Sequence, residues 1–533
     1  MQSRAARGIG GIGGIDGLTN RRVGVWGTGR EGRAIARLAL DRGASVTVFE
    51  DEHPTSGHAD DGRLEEVVAG TTPLSVSDPS SIASSSLEVL VRSPGVSRYR
   101  PELDRLRARG IPVTTATAIW LEDFAGHRVI GVTGSKGKST TASLAAMALE
   151  SDGTSVGLGG NIGTPVTDFY EAPSRDVYVI EVSSFQAAEV TASPPVGVLT
   201  LLVPDHLDWH GDFEAYVADK LNLFAHRRDL GLAVNARCQE ALSRTAEFPN
   251  RHLYGADGEV RVVGDASDAI AIAGEVYTIA NDAGSVSSRL RGRHNLDNLC
   301  GAITAVGLLT GVTPDPGRLV AAISSMSSLP SRLETVAVGV GIEFVDDALA
   351  SNPAGTIAAL GAFTGRPVSL IAGGFDRGTD LGDLARAIVA HGDVSLVLLT
   401  NGNAARRLER ELEQALRAER CDVPRVTAGS VSDAVGLAVR SLDVSHGGSP
   451  TEATRAHGEA ASSVDDGSGA TCAGRQIAGT GVGVVLFSPA APTPPSEGTY
   501  VERSAEFKRA VLRYLDSTAR EQESGTVRAR LQP

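Results

Sequence analysis

Cysteine is scarce in this 533-residue chain, with only four, at positions 238, 300, 421 and 472. They are too widely spaced for a metal-ligand or disulfide pattern, which fits a reducing compartment. Aromatic residues make up 4% of the chain, so its cores must be built from aliphatic side chains. No apolar run reaches the length of about eighteen residues that a membrane span needs, and the N-terminus lacks a signal-peptide core. Neither membrane insertion nor export is therefore expected, and a cytoplasmic location is. Positive charge is also short: 50 Lys and Arg against 64 Asp and Glu leave a formal net charge of −14. That excludes non-specific nucleic-acid binding, which draws on clustered cations, but leaves room for a local phosphate pocket. The remaining composition, 41% hydrophobic with 62 glycines, describes a soluble globular chain of several domains.

The stretch Val129-Ile-Gly-Val-Thr-Gly-Ser-Lys-Gly-Lys-Ser-Thr-Thr141 organises the rest. It reads as a buried strand, a glycine-bearing turn and a helix. Gly134 and Gly137 let the backbone curl so that N–H groups of Ser135, Lys136 and their neighbours point inward at a polyphosphate. The following helix adds its free N–H groups and positive dipole end. In such a loop Lys138 reaches the β/γ-phosphates, and Ser139 or Thr140 ligates Mg²⁺. The spacing departs by one residue from the strict G-x-x-x-x-G-K-[ST] pattern, because Gly131 lies six residues before Gly137.

Taken in order, residues 1–20 are a glycine-rich tail expected to be flexible. Residues 21–118 open with a strand, then Gly27-Thr-Gly29-Arg30-Glu31-Gly32, then a helix, and Glu50 ends the next strand. This is the fingerprint of a Rossmann-like domain, with its acidic residue about twenty positions on. Ser93 lies in a loop over the same crevice. Residues 119–328 form the phosphate-loop domain with a mainly parallel sheet. Its strands deliver Glu181, Asp205 and His206 at their carboxyl ends, where open sheets place ligands. Lys220 is, from the residues alone, only a lysine on a helix. The segment from Gly292 opens a helix bearing Asn295 and Asn298, amides suited to reading a base. Residues 329–533 again alternate strands and helices, so the chain is read as α/β with three domains. Residues 445–479, rich in Gly, Ser and Ala, are read as a disordered insertion.

Thr133-Gly-Ser-Lys-Gly-Lys-Ser-Thr140, Glu181-Val-Ser-Ser-Phe-Gln186, Asp205-His206, Lys220, Gly292-Arg-His-Asn295, Ser331-Arg332 and Asp346-Asp347 recur here in the order of the Mur ligases. These are ATP-dependent amide-forming enzymes of peptidoglycan precursor synthesis, and the resemblance covers nearly the whole chain. The early GxGxxG, Ser93-Pro-Gly95, Asn161-Ile-Gly-Thr-Pro165 and Gly373-Gly-Phe-Asp-Arg377 resemble the branch that adds D-glutamate to UDP-N-acetylmuramoyl-L-alanine. The resemblance implies a monomer using ATP and Mg²⁺ through an acyl phosphate. It assigns Lys138 and the loop to ATP, and Ser139, Glu181, His206 and a carbamylated Lys220 to the metals. It assigns Asn295 and Asn298 to adenine, Arg332 to phosphates and Asp347 to ribose. Gly27 to Gly32, Glu50, Ser93 and Asn161 would address the UDP-muramoyl substrate. Arg377, Thr493 and Tyr500 would address the amino acid, and Ser183, Gln186 and Ser351 would be further substrate-binding residues.

Departures gather in the third domain. Leu349 stands where the family usually has lysine, and Arg377 stands where lysine is usual in the loop receiving the amino-acid carboxylate. Arginine can hold a carboxylate bidentately, with different geometry. Asn235-Ala-Arg-Cys238 lacks two customary acids, Lys136 replaces an asparagine, and prolines crowd 491–500. Other readings are another Mur-type or folylpolyglutamate-type ligase, or a catalytically weak nucleotide-binding scaffold.

Overall fold

The computed structural model describes residues 11–51, 74–256, 258–263, 269–278, 290, 292–325, 330–419, 422–445 and 483–530. Nearly all of the 445–479 insertion lies outside them. Among the described residues there are three sheets, and the chain divides into two compact units, residues 1–326 and 327–533.

The first unit carries two of the sheets. One is five-stranded and parallel, in the order Leu74–Ser77, Ser45–Phe49, Arg22–Trp26, Val89–Arg92, Val113–Thr114. Its strands are short aliphatic runs buried on both faces, as parallel sheets covered by helices require. The other sheet has nine strands. Its parallel heart sets Val196–Leu199, Val129–Thr133, Val177–Glu181 and Val156–Gly160 side by side. The alanine-rich helix Lys138–Ser151 packs with Arg293–Thr310 against this sheet, because alanine and glycine positions let the backbones approach.

Two expectations about boundaries change. The division at 118/119 falls inside one helix, Ala116–Phe124. Ala116 and Ile119 enter the core of the first sheet, whereas Ala118, Trp120 and Leu121 enter the core of the second. A helix with apolar residues on both sides joins the two layers and does not mark a linker. The tail is also docked from residue 11 onward. The N–H groups of Ile12, Gly13 and Gly14 donate to the Glu122 carboxylate at 3.3, 2.8 and 2.8 Å, and Ile15 donates to Asp123 at 2.9 Å. Ile15 and Leu18 are buried in the first core. The glycines that suggested mobility instead let successive N–H groups converge on a carboxylate.

The second unit has six strands in the order Glu334–Gly339, Ile342–Asp346, Gly483–Phe487, Val368–Ala372, Val394–Leu399, Arg425–Ala428. All pairs are parallel except the first. The helix Tyr500–Arg530 closes the described chain.

Candidate nucleotide and substrate site

The phosphate loop leaves the strand Val129–Thr133 at its carboxyl end, between neighbours that end at Leu199 and Glu181. Gly134 has φ +146°, and a Cβ there would lie 1.9 Å from Thr200 Oγ1. Gly137 has φ +90°, and a Cβ there would lie 2.4 Å from Asn298 Oδ1. Both positions therefore demand glycine for conformation and for space. Thr200 Oγ1 donates to the Lys136 carbonyl at 2.6 Å, and Ser135 Oγ donates to the Val203 carbonyl at 2.8 Å. These bonds shape the loop from outside.

Lys138 Nζ donates to the Gly134 carbonyl at 3.0 Å, and Lys220 Nζ donates to the same oxygen at 2.8 Å. The helix lysine that looked ordinary in the sequence is 2% exposed. Burial, reinforced by the nearby Lys138 charge, pushes its amine well below the usual lysine value. The Tyr216 ring lies 4.7 Å from Lys220 Nζ. Glu181 is buried at the end of its strand, accepting from Ser139 Oγ at 2.5 Å and from Asn161 Nδ2 at 2.7 Å. Asn161, expected to face the sugar-nucleotide, is thus latched onto this acid, and its backbone N–H also donates to the Glu181 carbonyl. Burial opposes ionisation of Asp205, yet Lys136, His206, Lys138 and Lys220 together hold it below the ordinary carboxyl value. Lys136 Nζ lies 3.7 Å from it. His206 has φ +52°, a left-handed conformation that is costly for a non-glycine residue and concentrates at functional sites. Thr140 is buried in the same first turn as Ser139.

No group of three or more His, Cys, Asp or Glu side chains forms a closed metal cage among the described residues. The donors present fit Mg²⁺ in another way. It keeps waters and substrate phosphates and needs only one or two protein oxygens, here the paired Ser139 hydroxyl and Glu181 carboxylate.

In the first sheet, Gly27 has φ +95° and Gly32 fits so tightly that a Cβ would lie 2.0 Å from the Gly27 carbonyl. A Cβ on Gly29 would meet nothing within 4 Å. Gly27 and Gly32 are thus explained by conformation and packing, whereas no neighbour within the chain requires glycine at position 29. Ser93 Oγ donates to the Gly27 carbonyl at 2.9 Å. Thr28 donates to Glu50. Glu31 accepts from Gln186 Nε2 at 2.5 Å, and burial raises its carboxyl to about 7. Ser183 caps the short helix that carries Gln186. The glycine loop and the segment following Glu181 are therefore bonded to each other. Arg30 lies beside them, in the first turn of its helix.

Asn298 is buried against Gly137 and donates to Asn295 Oδ1 at 3.3 Å. Sequence reasoning put it at a base, and the structure puts it on the phosphate loop. In the second unit Asp347 is buried, accepting from Ser488 Oγ at 2.7 Å and from the Leu333 N–H at 3.3 Å, and burial raises its carboxyl to about 7. Each of its oxygens accepts one bond from within that unit. Arg332 sits between Ser331 and Leu333, both with positive φ. Ser351 follows Leu349, to whose carbonyl its N–H donates at 2.8 Å. Arg377 is exposed in the loop after Val368–Ala372, and Phe375 of that loop donates to the Pro492 carbonyl at 2.8 Å. Thr493 follows that contact, and Tyr500 begins the last helix at 42% exposure.

The model of the Mur ligase middle domain matches residues 132–306. A protein of Salinispora tropica named UDP-N-acetylmuramoyl-L-alanine--L-glutamate ligase is 34% identical over 501 residues, spanning 93% of this chain and 98% of that one. The chain belongs to the Mur ligases. Another of the same name, from Xanthomonas axonopodis, is 31% identical and spans 92% of this Mur ligase and 95% of its own length. One from Clostridium botulinum, named UDP-N-acetylmuramoylalanine--D-glutamate ligase, is 29% identical and spans 78% and 88%. Among solved structures, a MurF ligase from Thermotoga maritima in complex with ADP shares the fold, with a TM-score of 0.52 at 14% identity over 93% of this chain and 99% of that one.

Sequence reasoning missed several groups of this Mur ligase. Thr200 shapes the phosphate loop, and its signal was a polar residue just past a buried strand. Lys508 Nζ, from the last helix, lies 2.7 Å from Glu334 and 3.6 Å from Asp346. No local signal marks it, because its partners are more than 150 positions away in sequence.

Proposed function

We propose that this Mur ligase joins glutamate to the carboxylate of UDP-N-acetylmuramoyl-L-alanine at the expense of ATP. The observation that carries this is the convergence of Lys138, Lys220 and the Ser139–Glu181 pair around the Gly134 turn. The substrate carboxylate attacks the γ-phosphorus, giving an acyl phosphate and ADP. The glutamate amine then attacks the acyl carbon, and phosphate leaves the tetrahedral intermediate. Charge develops on phosphoryl oxygens in the first step and on the carbonyl oxygen in the second, so fixed donors do most of the work. Lys138 and the N–H groups of Ser135 to Thr140 hold the phosphates. Mg²⁺, when bound, would neutralise phosphate charge, held by Ser139 and Glu181, with His206 and Lys220 completing a second position. A buried lysine with a depressed proton affinity offers the neutral amine that carbamylation by CO₂ needs, and the carbamate would supply the missing oxygen ligand. Gly29, Glu50 and the Glu31–Gln186 bond form the floor for the sugar-nucleotide.

The handedness of glutamate is where the relatives' names divide. L-Glutamate is the first reading, because the relatives named for it are more similar and span more of the chain. D-Glutamate, expected from the motifs, is the second, supported by the name of the relative from Clostridium botulinum. Leu349 and Arg377, where lysines are usual, support a difference in the amino-acid half. ADP formation should require both UDP-N-acetylmuramoyl-L-alanine and glutamate, with a product heavier by one glutamyl residue. ADP formation that ignores either substrate, or that persists in Lys138→Ala, would overturn the proposal.

A further inference from the structure

His210 is 3% exposed, and both its ring nitrogens are engaged. Nδ1 lies 2.8 Å from Asp219 Oδ2, and Nε2 lies 2.9 Å from Ser184 Oγ. A carboxylate only accepts, so Nδ1 carries a proton and donates to Asp219. The Ser–His–Asp order looks like a nucleophile with its base, but Ser184 is 2% exposed and no substrate can reach it. The ring is packed against Phe185, Trp209 and Tyr216. Asp219 is further held by Arg98 Nη1 at 2.8 Å and by the Tyr99 hydroxyl at 2.9 Å.

The three residues lie on three separate segments, and the same segments deliver the proposed metal-site residues. Ser184 stands three positions after Glu181, His210 four after His206, and Asp219 immediately before Lys220. Glu181 ends a strand, His206 opens the short helix Leu207–His210, and Lys220 belongs to the helix Phe213–Leu221. Besides the intervening loops, Asn222 Nδ2 ties the end of the Lys220 helix to the Ala187 and Val190 carbonyls at 2.8 and 3.0 Å. The Ser184–His210–Asp219 bridge crosses all three segments within a turn of each metal-site residue.

We infer that His210 is a positioning residue, a buried staple that sets Glu181, His206 and Lys220 at the mutual spacing a bound divalent cation requires. Hydrogen-bonded residues behind metal ligands orient them, and their loss typically weakens metal affinity by about 10- to 100-fold. The inference rests on the metal reading given above, and its test separates the two.

Mn²⁺ binding to the full-length protein with saturating ADP would be titrated by electron paramagnetic resonance in the wild type, Ser184→Ala, His210→Gln and Glu181→Gln. Ser184→Ala removes one hydroxyl from a helix that Ser183 already caps, and Asp219 keeps Arg98 and Tyr99 in both staple variants, so these should fold. Ser184→Ala and His210→Gln should each weaken Mn²⁺ by about tenfold. Their KM for the sugar-nucleotide should change by less than about twofold, and added Mg²⁺ should restore kcat. Unchanged Mn²⁺ affinity in both variants, with or without a lower melting temperature, would overturn the staple. If Glu181→Gln also binds Mn²⁺ like the wild type, the metal reading falls with it. If only Glu181→Gln loses Mn²⁺, the metal reading stands and the staple alone is wrong.

Discussion

The phosphate-loop region and the loops of the second unit solve opposite problems. Around Gly134 the groups that would do chemistry are buried and fixed: Glu181 accepts two side-chain hydrogen bonds, and two lysines share one carbonyl. In the second unit, Arg377 is exposed and its loop leans on the backbone of the Pro-rich segment. Buried polar convergence of the first kind tolerates little change, because each altered partner leaves another unsatisfied. Exposed loops on a rigid sheet can be rewritten residue by residue. The contrast separates what this Mur ligase does from what it does it to. On the proposed reading, the reaction type resides in the first region and the choice of amino acid in the second.

The sharpest way to break that contrast is Glu181→Gln. It keeps the shape and both neighbours but removes the charge, and kcat should fall by at least about 100-fold with the amino-acid KM nearly unchanged. A loss confined to that KM would erase the distinction between the regions. Gly134→Ala comes next. Its Cβ would lie 1.9 Å from Thr200 Oγ1, so the loop must open, and ATP affinity by calorimetry should fall by more than about tenfold. Arg377→Leu should raise the glutamate KM by about tenfold and leave ATP affinity untouched, as removal of one carboxylate partner predicts. Equal effects on both ligands would contradict the assignment of that loop.

The smallest effect concerns Glu31. Its folded-state carboxyl is raised above the unfolded value, so the stability it contributes is complete below about pH 4.5 and is lost as the pH rises towards about 7. Glu31→Gln retains the bond to Gln186 and removes that loss. Its melting temperature should match the wild type near pH 4.5 and exceed it by a few degrees at pH 8. Parallel melting curves for both proteins across this range would show that the carboxyl is not buried as described.

The sheets were legible because their strands are unbroken aliphatic runs punctuated by glycine, and the phosphate loop because its glycines and lysine are contiguous. Glu181 and His206 followed from the rule that ligands gather at the carboxyl ends of strands. Lys220 was legible only through family resemblance, since nothing on its own helix shows that a distant loop carbonyl receives it. The docking of residues 11–18 was misread, because a glycine run looks mobile unless the acid it wraps is known. Asn298 and Asp347 were given ligand roles from their motifs, but their positions depend on contacts with Gly137 and Ser488, which local pattern does not contain. The staple through His210 was invisible for the same reason: its bonds span 9 and 26 positions.

The central claim, a fixed ligase centre serving a rewritten amino-acid site, is tested most directly by phosphate release. ATP and UDP-N-acetylmuramoyl-L-alanine would be supplied with L-glutamate or D-glutamate in parallel. The account predicts rapid release with L-glutamate, slow release with D-glutamate, and neither in Lys138→Ala. Preference for D-glutamate would return the amino-acid site to its motif-based reading, and release with neither enantiomer would contradict the account.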